Sequence, residues 1–314
     1  MRHITILTPC YNEVENVVPW FEATQNVMSE IKEVTYSHLF IDNASTDGTQ
    51  EKLRKLAVKN QHLQVIINNR NFGHIRSPWH GLLQAKGDAV IVIPCDFQDP
   101  PEIIPLFIQY WLEGVPVVIG VKEKSDETFF FRAIRTLYYR LAKKLADVDL
   151  IEHFNGFGLY DRQVIEQMRQ IPDVYPYLRG LLVELGYETV KVPYNQQKRR
   201  DGSSNNNFYT LFDMAMLGIT SHSRVPLRLA TLSGFLLSGI SMVIASVYLI
   251  LKAVYWDTFS FGLAPVIIGV FFFGAVQLFF IGVLGEYIQI IHTQIMCRPP
   301  VVEKERINLP VRLI

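Results

Sequence analysis

The sequence lacks the two glycine signatures that most often mark phosphate binding. Neither G-x-G-x-x-G nor G-x-x-x-x-G-K-[ST] occurs in its 314 residues. That disfavours a dinucleotide-binding dehydrogenase and a P-loop nucleotidase. It also lacks an excess of either charge: 30 basic residues face 30 acidic ones, for a formal net charge of zero. A nucleic-acid partner, which favours a strongly basic domain, is not expected. Cysteine is scarce. Cys10, Cys95 and Cys297 make no C-x-x-C pair, so no zinc-ligand spacing exists. An odd, scattered set of thiols fits a reducing cytosol, with Cys10 and Cys95 as small buried hydrophobes near strand ends. The apolar run inside MRHITILTPCYNE is too short for a secretory signal. Repeats and low-complexity segments are absent.

What is present, from residue 1 to about 125, is alternation. Short apolar runs at Ile4–Pro9, His38–Asp42, Val65–Asn68, Ala89–Ile93 and Val117–Val121 read as strands. Helical periodicity over Glu13–Glu33, Thr46–Lys59 and Ser77–Ala85 falls between them. Strand–helix alternation predicts an α/β fold with a parallel sheet and right-handed crossovers. Further strands are expected after Asn155 in NGFGLY and over Glu188–Pro193.

The predicted strands end in turns of one character. They lead into Pro9-Cys10-Tyr11-Asn12-Glu13, Asp42-Asn43-Ala44-Ser45-Thr46-Asp47-Gly48-Thr49, Asn71-Phe72-Gly73 and Asp96-Phe97-Gln98-Asp99. Any one is an ordinary turn. Four on the rim where open α/β sheets bind ligands point to a nucleotide site. In AVIVIPCDFQDPPE, Asp96, Gln98 and Asp99 are hard oxygen donors at a strand's carboxyl end. They suit Mg²⁺ or Mn²⁺ carrying a nucleotide diphosphate, or simply a solvated, helix-capping turn.

The second half changes composition. TFFFRAIRTLYYRLAKKL, residues 128–145, has an apolar stripe and five basic residues, the pattern of a helix lying on an anionic membrane or of an ordinary core-facing helix. RRDGSSNNNFY reads as a polar loop in which Arg199, Arg200 and Ser204 can grip phosphate oxygens, or as a solvated one. A second apolar helix follows near residues 208–222. Leu229–Tyr255 then carries one charge, Lys252, and Phe261–Ile291 one, Glu286. Each exceeds the roughly 20 apolar residues that span a bilayer core of about 30 Å. The flanking Arg224, Arg228, Arg298, Lys304 and Arg306 predict, by the positive-inside rule, that both ends and the α/β domain are cytosolic. Small residues such as Gly234, Gly239, Gly269 and Gly274 permit close helix packing and a homo-oligomer. The expected organisation is a catalytic unit over 1–225, including interfacial helices at about 128–147 and 208–222. Membrane spans over 226–292 (about 229–255 and 261–291) and a cytosolic tail over 293–314 complete it.

TPCYNE, DNASTDGT, NRNFGH, DFQDPPE, NGFGLYDR, the R-x-x-G-x-S of Arg199 to Ser204, and GEY ahead of RPP together carry a resemblance over nearly the whole chain. The sequence resembles polyprenyl-phosphate sugar transferases of the inverting glycosyltransferase family 2, most of all the bactoprenol glucosyltransferases with a two-helix anchor. The resemblance implies a GT-A (Rossmann-like) catalytic domain with a mainly parallel sheet, amphipathic interfacial helices and a two-helix transmembrane hairpin. It implies a nucleotide-sugar donor, a polyprenyl phosphate acceptor, the lipid bilayer as partner, and Mg²⁺ or Mn²⁺ as cofactor.

By the same resemblance Pro9, Tyr11, Asn12, Glu13 and Asp42 hold the base and ribose, with Asn71, Gly73, Arg199 and Ser204 completing the donor site. Asp96 and Gln98 bind the metal, Asp161 lies near sugar and acceptor, and Arg132, Arg135 and Arg200 meet the lipid phosphate. The sequence departs from the family at three positions. Pro94 replaces the first Asp of D-x-D, Asn43 the second Asp of the DDGS turn, and Asn205 a common Lys. The implied reaction is transfer of a hexose, glucose from UDP-glucose first. Alternatives are mannose, N-acetylhexosamine or an amino-pentose, or a non-catalytic membrane scaffold. A processive synthase is disfavoured because Q-x-x-R-W is absent.

Overall fold

The computed structural model describes residues 1–124, 151, 154–197, 213, 216–218, 220–221, 223–255, 263–296 and 298–309. Four apolar runs form the centre of one sheet: β1 (Arg2–Cys10), β2 (Val34–Asp42), β3 (Leu63–Asn68) and β4 (Ala89–Val92). They are joined by α1 (Val17–Ser29), α2 (Thr49–Lys59) and α3 (Gly73–Gln84), and all neighbouring pairs among them are parallel. A strand covered on both faces has no solvated side, so it reads as a continuous apolar run. Ile4, Ile6, Phe40, Val65 and Ile91 face one buried layer with α1, while Leu7, Leu39, Ile41, Ile66 and Val90 face the other with α3.

After β4 come α4 (Ile104–Leu112), β5 (Val117–Lys124), β6 (Gly158–Asp161), α5 (Arg162–Gln170), α6 (Leu178–Leu185) and β7 (Thr189–Asn195). Two long helices follow, α7 (Val225–Val254) and α8 (Leu263–Ile295), and the last strand is β8 (Glu303–Ile307). The sheet order is β7-β5-β6-β4-β1-β2-β3-β8. The mainly parallel α/β expectation holds. Two strands reverse it: β6 runs antiparallel to β4 and β5, and β8 antiparallel to β3. Gly158 makes the first reversal possible, because a Cβ there would lie 2.7 Å from the Val118 carbonyl oxygen.

Within the expected tail over 293–314 lies a strand, β8. Glu303–Ile307 closes the sheet edge beside β3. His80 on α3 reaches Glu303 at 2.5 Å, Arg54 on α2 pairs with Glu305 at 2.7 Å, and Arg306 also bonds Glu303. Burial alone would raise the Glu303 carboxyl, but the hydrogen bonds from His80 and Arg306 win and hold it at about 2. The chain that leaves the domain through α7 therefore returns to it.

Helices α7 and α8 are long and apolar enough to cross a membrane, and no residue of either span is buried. Tyr287, from the GEY motif, donates from its hydroxyl to the Ser223 carbonyl just before α7, at 2.7 Å. That bond ties the two helices together at one end. The expected interfacial helix at 128–147 lies outside the described residues, as does most of 208–222.

Candidate active site

The turns after β1 to β4 share the same rim because parallel strands put all their carboxyl ends on one side. They are braced by polar side chains bonding to each other's backbone. Asn12, in the left-handed region at φ 55°, accepts from the Thr46 amide at 2.9 Å, and Ser45 Oγ accepts from the Asn12 amide at 2.8 Å. Asp47 caps the turn into α2, accepting from the Thr49 and Val14 amides at 3.0 Å each. Asn43 is the hub of the next pair. Its side chain donates to Asn71 Oδ1 at 2.8 Å and accepts from the Phe72 amide at 2.9 Å and from Asn68 at 3.1 Å. A carboxylate at position 43 accepts but cannot donate, so Asn fits this two-way role.

Between these turns opens a cleft of about 600 Å³. Pro9, Tyr11, Glu13, Asn71, Gly73, Asp96 and Gln98 line it, as the sequence leads one to expect. Asp96 accepts from the Gln98 amide at 3.1 Å across Phe97, itself left-handed at φ 58°. Pro94 is also in the wall. Among the described residues no group of three or more His, Cys, Asp or Glu side chains gathers as a metal cage. Magnesium is commonly held by one or two carboxylates plus substrate phosphates and water. The donor set of Asp96 and Gln98 fits a cation that shares its coordination with a diphosphate.

Two of the residues predicted for the donor site do not line the cleft. Asn12 spends its side chain on the Thr46 amide. Asp42 is fully buried and accepts from the Ser45 amide at 3.0 Å; burial raises its pKa, partly offset by Ser45. Both shape the wall from behind. Cys10 and Cys95 are buried, and burial pushes the Cys10 thiol well above its usual range, in keeping with a packing role.

Asp161, expected with Asp96 as a catalytic residue near sugar and acceptor, is placed away from the cleft. In β6 it pairs with Ala89, at the start of β4, while Gly158 pairs with Val92 near the cleft. Three residues of strand, about 10 Å at 3.4 Å per residue, carry it to the opposite rim. There it caps α5, accepting from the Gln163 amide at 2.9 Å, and accepts from the Trp111 indole at 2.7 Å. Met1, Arg2, Asp88 and Arg162 are its neighbours around a second, shallower hollow.

Sequence reasoning did not pick out what replaces it. Asn155, Gly156 and Phe157 line the cleft, with Tyr177 and Arg179. Asn155 donates to the buried Asp99 at 2.8 Å, and the Tyr194 hydroxyl donates to the same carboxylate. Burial, then the Asp99 charge, raise the Tyr194 phenol, which stays protonated and able to donate. Asp99 thus fastens the Asp96 turn to the turn before β6 and to β7. Arg132, Arg135, Arg199, Arg200 and Ser204 lie outside the described residues.

The mainly parallel α/β sheet, with a nucleotide-sized cleft at its carboxyl rim lined by Glu13, Asp96 and Gln98, has the form of a GT-A type catalytic domain. Residues 5–184 match glycosyl transferase family 2. The chain is 34% identical over 301 residues to "Uncharacterized glycosyltransferase YkcC" of Bacillus subtilis (strain 168), covering 95% of this chain and 93% of that one. It is 32% identical over 303 residues to "SfII prophage-derived bactoprenol glucosyl transferase" of Shigella flexneri, covering 96% and 97%. A solved glucosyl-3-phosphoglycerate synthase from Mycobacterium tuberculosis, in complex with Mn²⁺, UDP-glucose and phosphoglyceric acid, is 19% identical. It covers 70% of this chain and 78% of that one, at a TM-score of 0.49. The chain belongs to glycosyl transferase family 2 and is a glycosyltransferase.

Proposed function

We propose that the protein transfers a hexose, glucose from UDP-glucose first among candidates, to a polyprenyl phosphate at the cytosolic face of a membrane. One observation carries the reading: a donor-sized cleft sits on a domain whose sheet is closed by chain returning from two membrane-length helices. The 32% identity to a protein named bactoprenol glucosyl transferase supports the acceptor and the sugar.

In this reading Pro9, Tyr11 and Glu13 hold the nucleoside, with Asn12 and Asp42 fixing their turns from behind. Asn71 and Gly73 border the diphosphate. Asp96, with Gln98, would hold a divalent cation, which supplies charge neutralisation for the leaving diphosphate. Arg199 and Ser204 would close over the donor, and Arg132, Arg135 and Arg200 would meet the acceptor phosphate.

A lipid phosphate oxygen attacks the anomeric carbon while the bond from that carbon to the diphosphate oxygen breaks, and the nucleoside diphosphate leaves with the electron pair. A phosphate monoester has a second pKa of about 6, so it is largely ionised near neutral pH and needs little help from a base. A reaction of this kind does not need Asp161 in the cleft.

The test is incubation of the purified protein with a panel of radiolabelled UDP- and GDP-sugars and polyprenyl phosphate, with and without Mg²⁺ or Mn²⁺. The expected product is lipid-linked glucose with release of UDP, dependent on the cation. Transfer of mannose, N-acetylhexosamine or an amino-pentose instead would keep the chemistry and change the sugar. No transfer from any donor would overturn the reading.

A further inference from the structure

A third hollow, of about 360 Å³, lies between the β3–α3 turn and the last turn of α8. Arg70, Arg76, His292 and Arg298 line it, with Phe72 and Met296 as apolar neighbours and no carboxylate among the lining residues. The Arg70 guanidinium sits 4.1 Å over the Phe72 ring and Arg76 5.3 Å over Tyr175. One Arg70 nitrogen donates to the Asn71 carbonyl at 3.0 Å, which fixes the side chain, and stacking leaves the other guanidinium donors free to meet an oxyanion. The Arg76 Nε is buried without a hydrogen-bond partner, so one donor is already out of water and unsatisfied.

Position supplies the ligand. Helix α8 has 33 residues, and at 1.5 Å per residue it is about 50 Å long, against about 40–45 Å for a bilayer with its headgroups. Its last turn, which supplies His292, therefore stands at headgroup level when the helix crosses. The same β3–α3 turn serves two cavities. Asn71 and Gly73 face the donor cleft, while Arg70, Phe72 and Arg76 face the basic hollow. A group held in the hollow thus lies on the other side of this turn from the residues that line the cleft.

We propose that this hollow binds the phosphate headgroup of an anionic membrane phospholipid, a non-reacting lipid that orders the turn carrying Asn71 and Gly73. The proposal rests on the reading of α7 and α8 as membrane spans, and it does not require the identity of the donor or acceptor.

The full-length protein, reconstituted in nanodiscs of phosphatidylcholine with or without phosphatidylglycerol, tests it without donor or acceptor present. Hydrogen exchange over residues 69–76 should slow in phosphatidylglycerol for the wild type. Arg70→Gln combined with Arg298→Gln should abolish that protection. Native mass spectrometry should show retained phosphatidylglycerol falling by about fivefold per arginine removed, the factor expected for one cation near an anionic surface. Unchanged exchange over the buried strands β1 to β4 in the same samples shows that the double variant remains folded. Equal exchange in both lipids, or protection that survives the double substitution, overturns the proposal. So does protection that appears only when polyprenyl phosphate is added, which would make the hollow an acceptor site. Loss of sugar transfer with lipid protection intact would count against the proposed function alone.

Discussion

The two rims of the sheet are built from similar residues and do different things. At the carboxyl ends of β1 to β4, Asn12, Asn43 and Asp47 spend their side chains on neighbouring turns, and the turns stand apart around a cleft. At the opposite rim the polar groups satisfy one another. Asp88 accepts from the His3 amide at 2.7 Å, Arg162 donates to the Gly87 carbonyl at 2.6 Å, Arg2 stacks on Trp111, and Trp111 bonds Asp161. A carboxylate at a strand end has no functional meaning until the strand's direction is known. Asp96 lies in the turn after β4, which runs parallel to β1, and faces the cleft; Asp161 ends the antiparallel β6 and caps a helix.

The largest effect that separates the rims is at Asp96. Asp96→Asn should lower kcat/KM for sugar transfer by about 100-fold or more, the scale for losing a group that stabilises developing charge, with the unfolding midpoint little changed. Turnover near wild type would remove Asp96 from the chemistry. Next comes Asp99→Ala, which leaves the Tyr194 hydroxyl and the Asn155 amide without their shared acceptor. It should cost about 2–4 kcal/mol in stability, read from denaturant midpoints, and loosen the Asp96 turn so that donor KM rises.

The buried face between α1 and β2 gives a pH signature. His38 bonds Thr8 at 2.9 Å, and burial, then the neighbouring His62, lowers its pKa from 6.5 to about 3. The folded state refuses a proton that the unfolded chain accepts. Stability is therefore lost as pH falls from 6.5 towards 3, by up to about 1.4 kcal/mol per pH unit. The difference between wild type and His38→Gln should shrink across that window; a constant difference would mean His38 titrates normally. The smallest effect is expected at the closed rim. Asp161→Ala should cost about 1–2 kcal/mol from the lost helix cap and Trp111 bond and leave sugar transfer close to wild type.

These contrasts also separate what the chain announces from what it hides. The central strands are legible because burial on both faces demands continuous apolar runs such as Ala89–Ile93. The rim turns are legible because tight turns and caps favour Asn, Asp and Gly, even though Ala44 and Phe97 also take left-handed backbone there. Strand direction is not. NGFGLYD reads as turn plus strand either way, and only pairing with β4 places Asp161 far from the cleft. EKERI carries a single apolar residue, Ile307, too little to read as a strand; β8 is held at the sheet edge by Ile307 packing on the core and by Arg54 and His80, more than two hundred residues earlier, which receive its glutamates. Asn155 was hidden for a related reason, since its role depends on the buried Asp99 beside it.

The central claim is that the donor occupies the carboxyl rim. Photo-crosslinking with an azido-UDP-glucose, mapped by peptide mass spectrometry, tests it most directly. Label is expected on the segments around Tyr11 and Asn71, competed away by UDP. Label concentrated instead around Arg2, Trp111 and Arg162 would contradict the account.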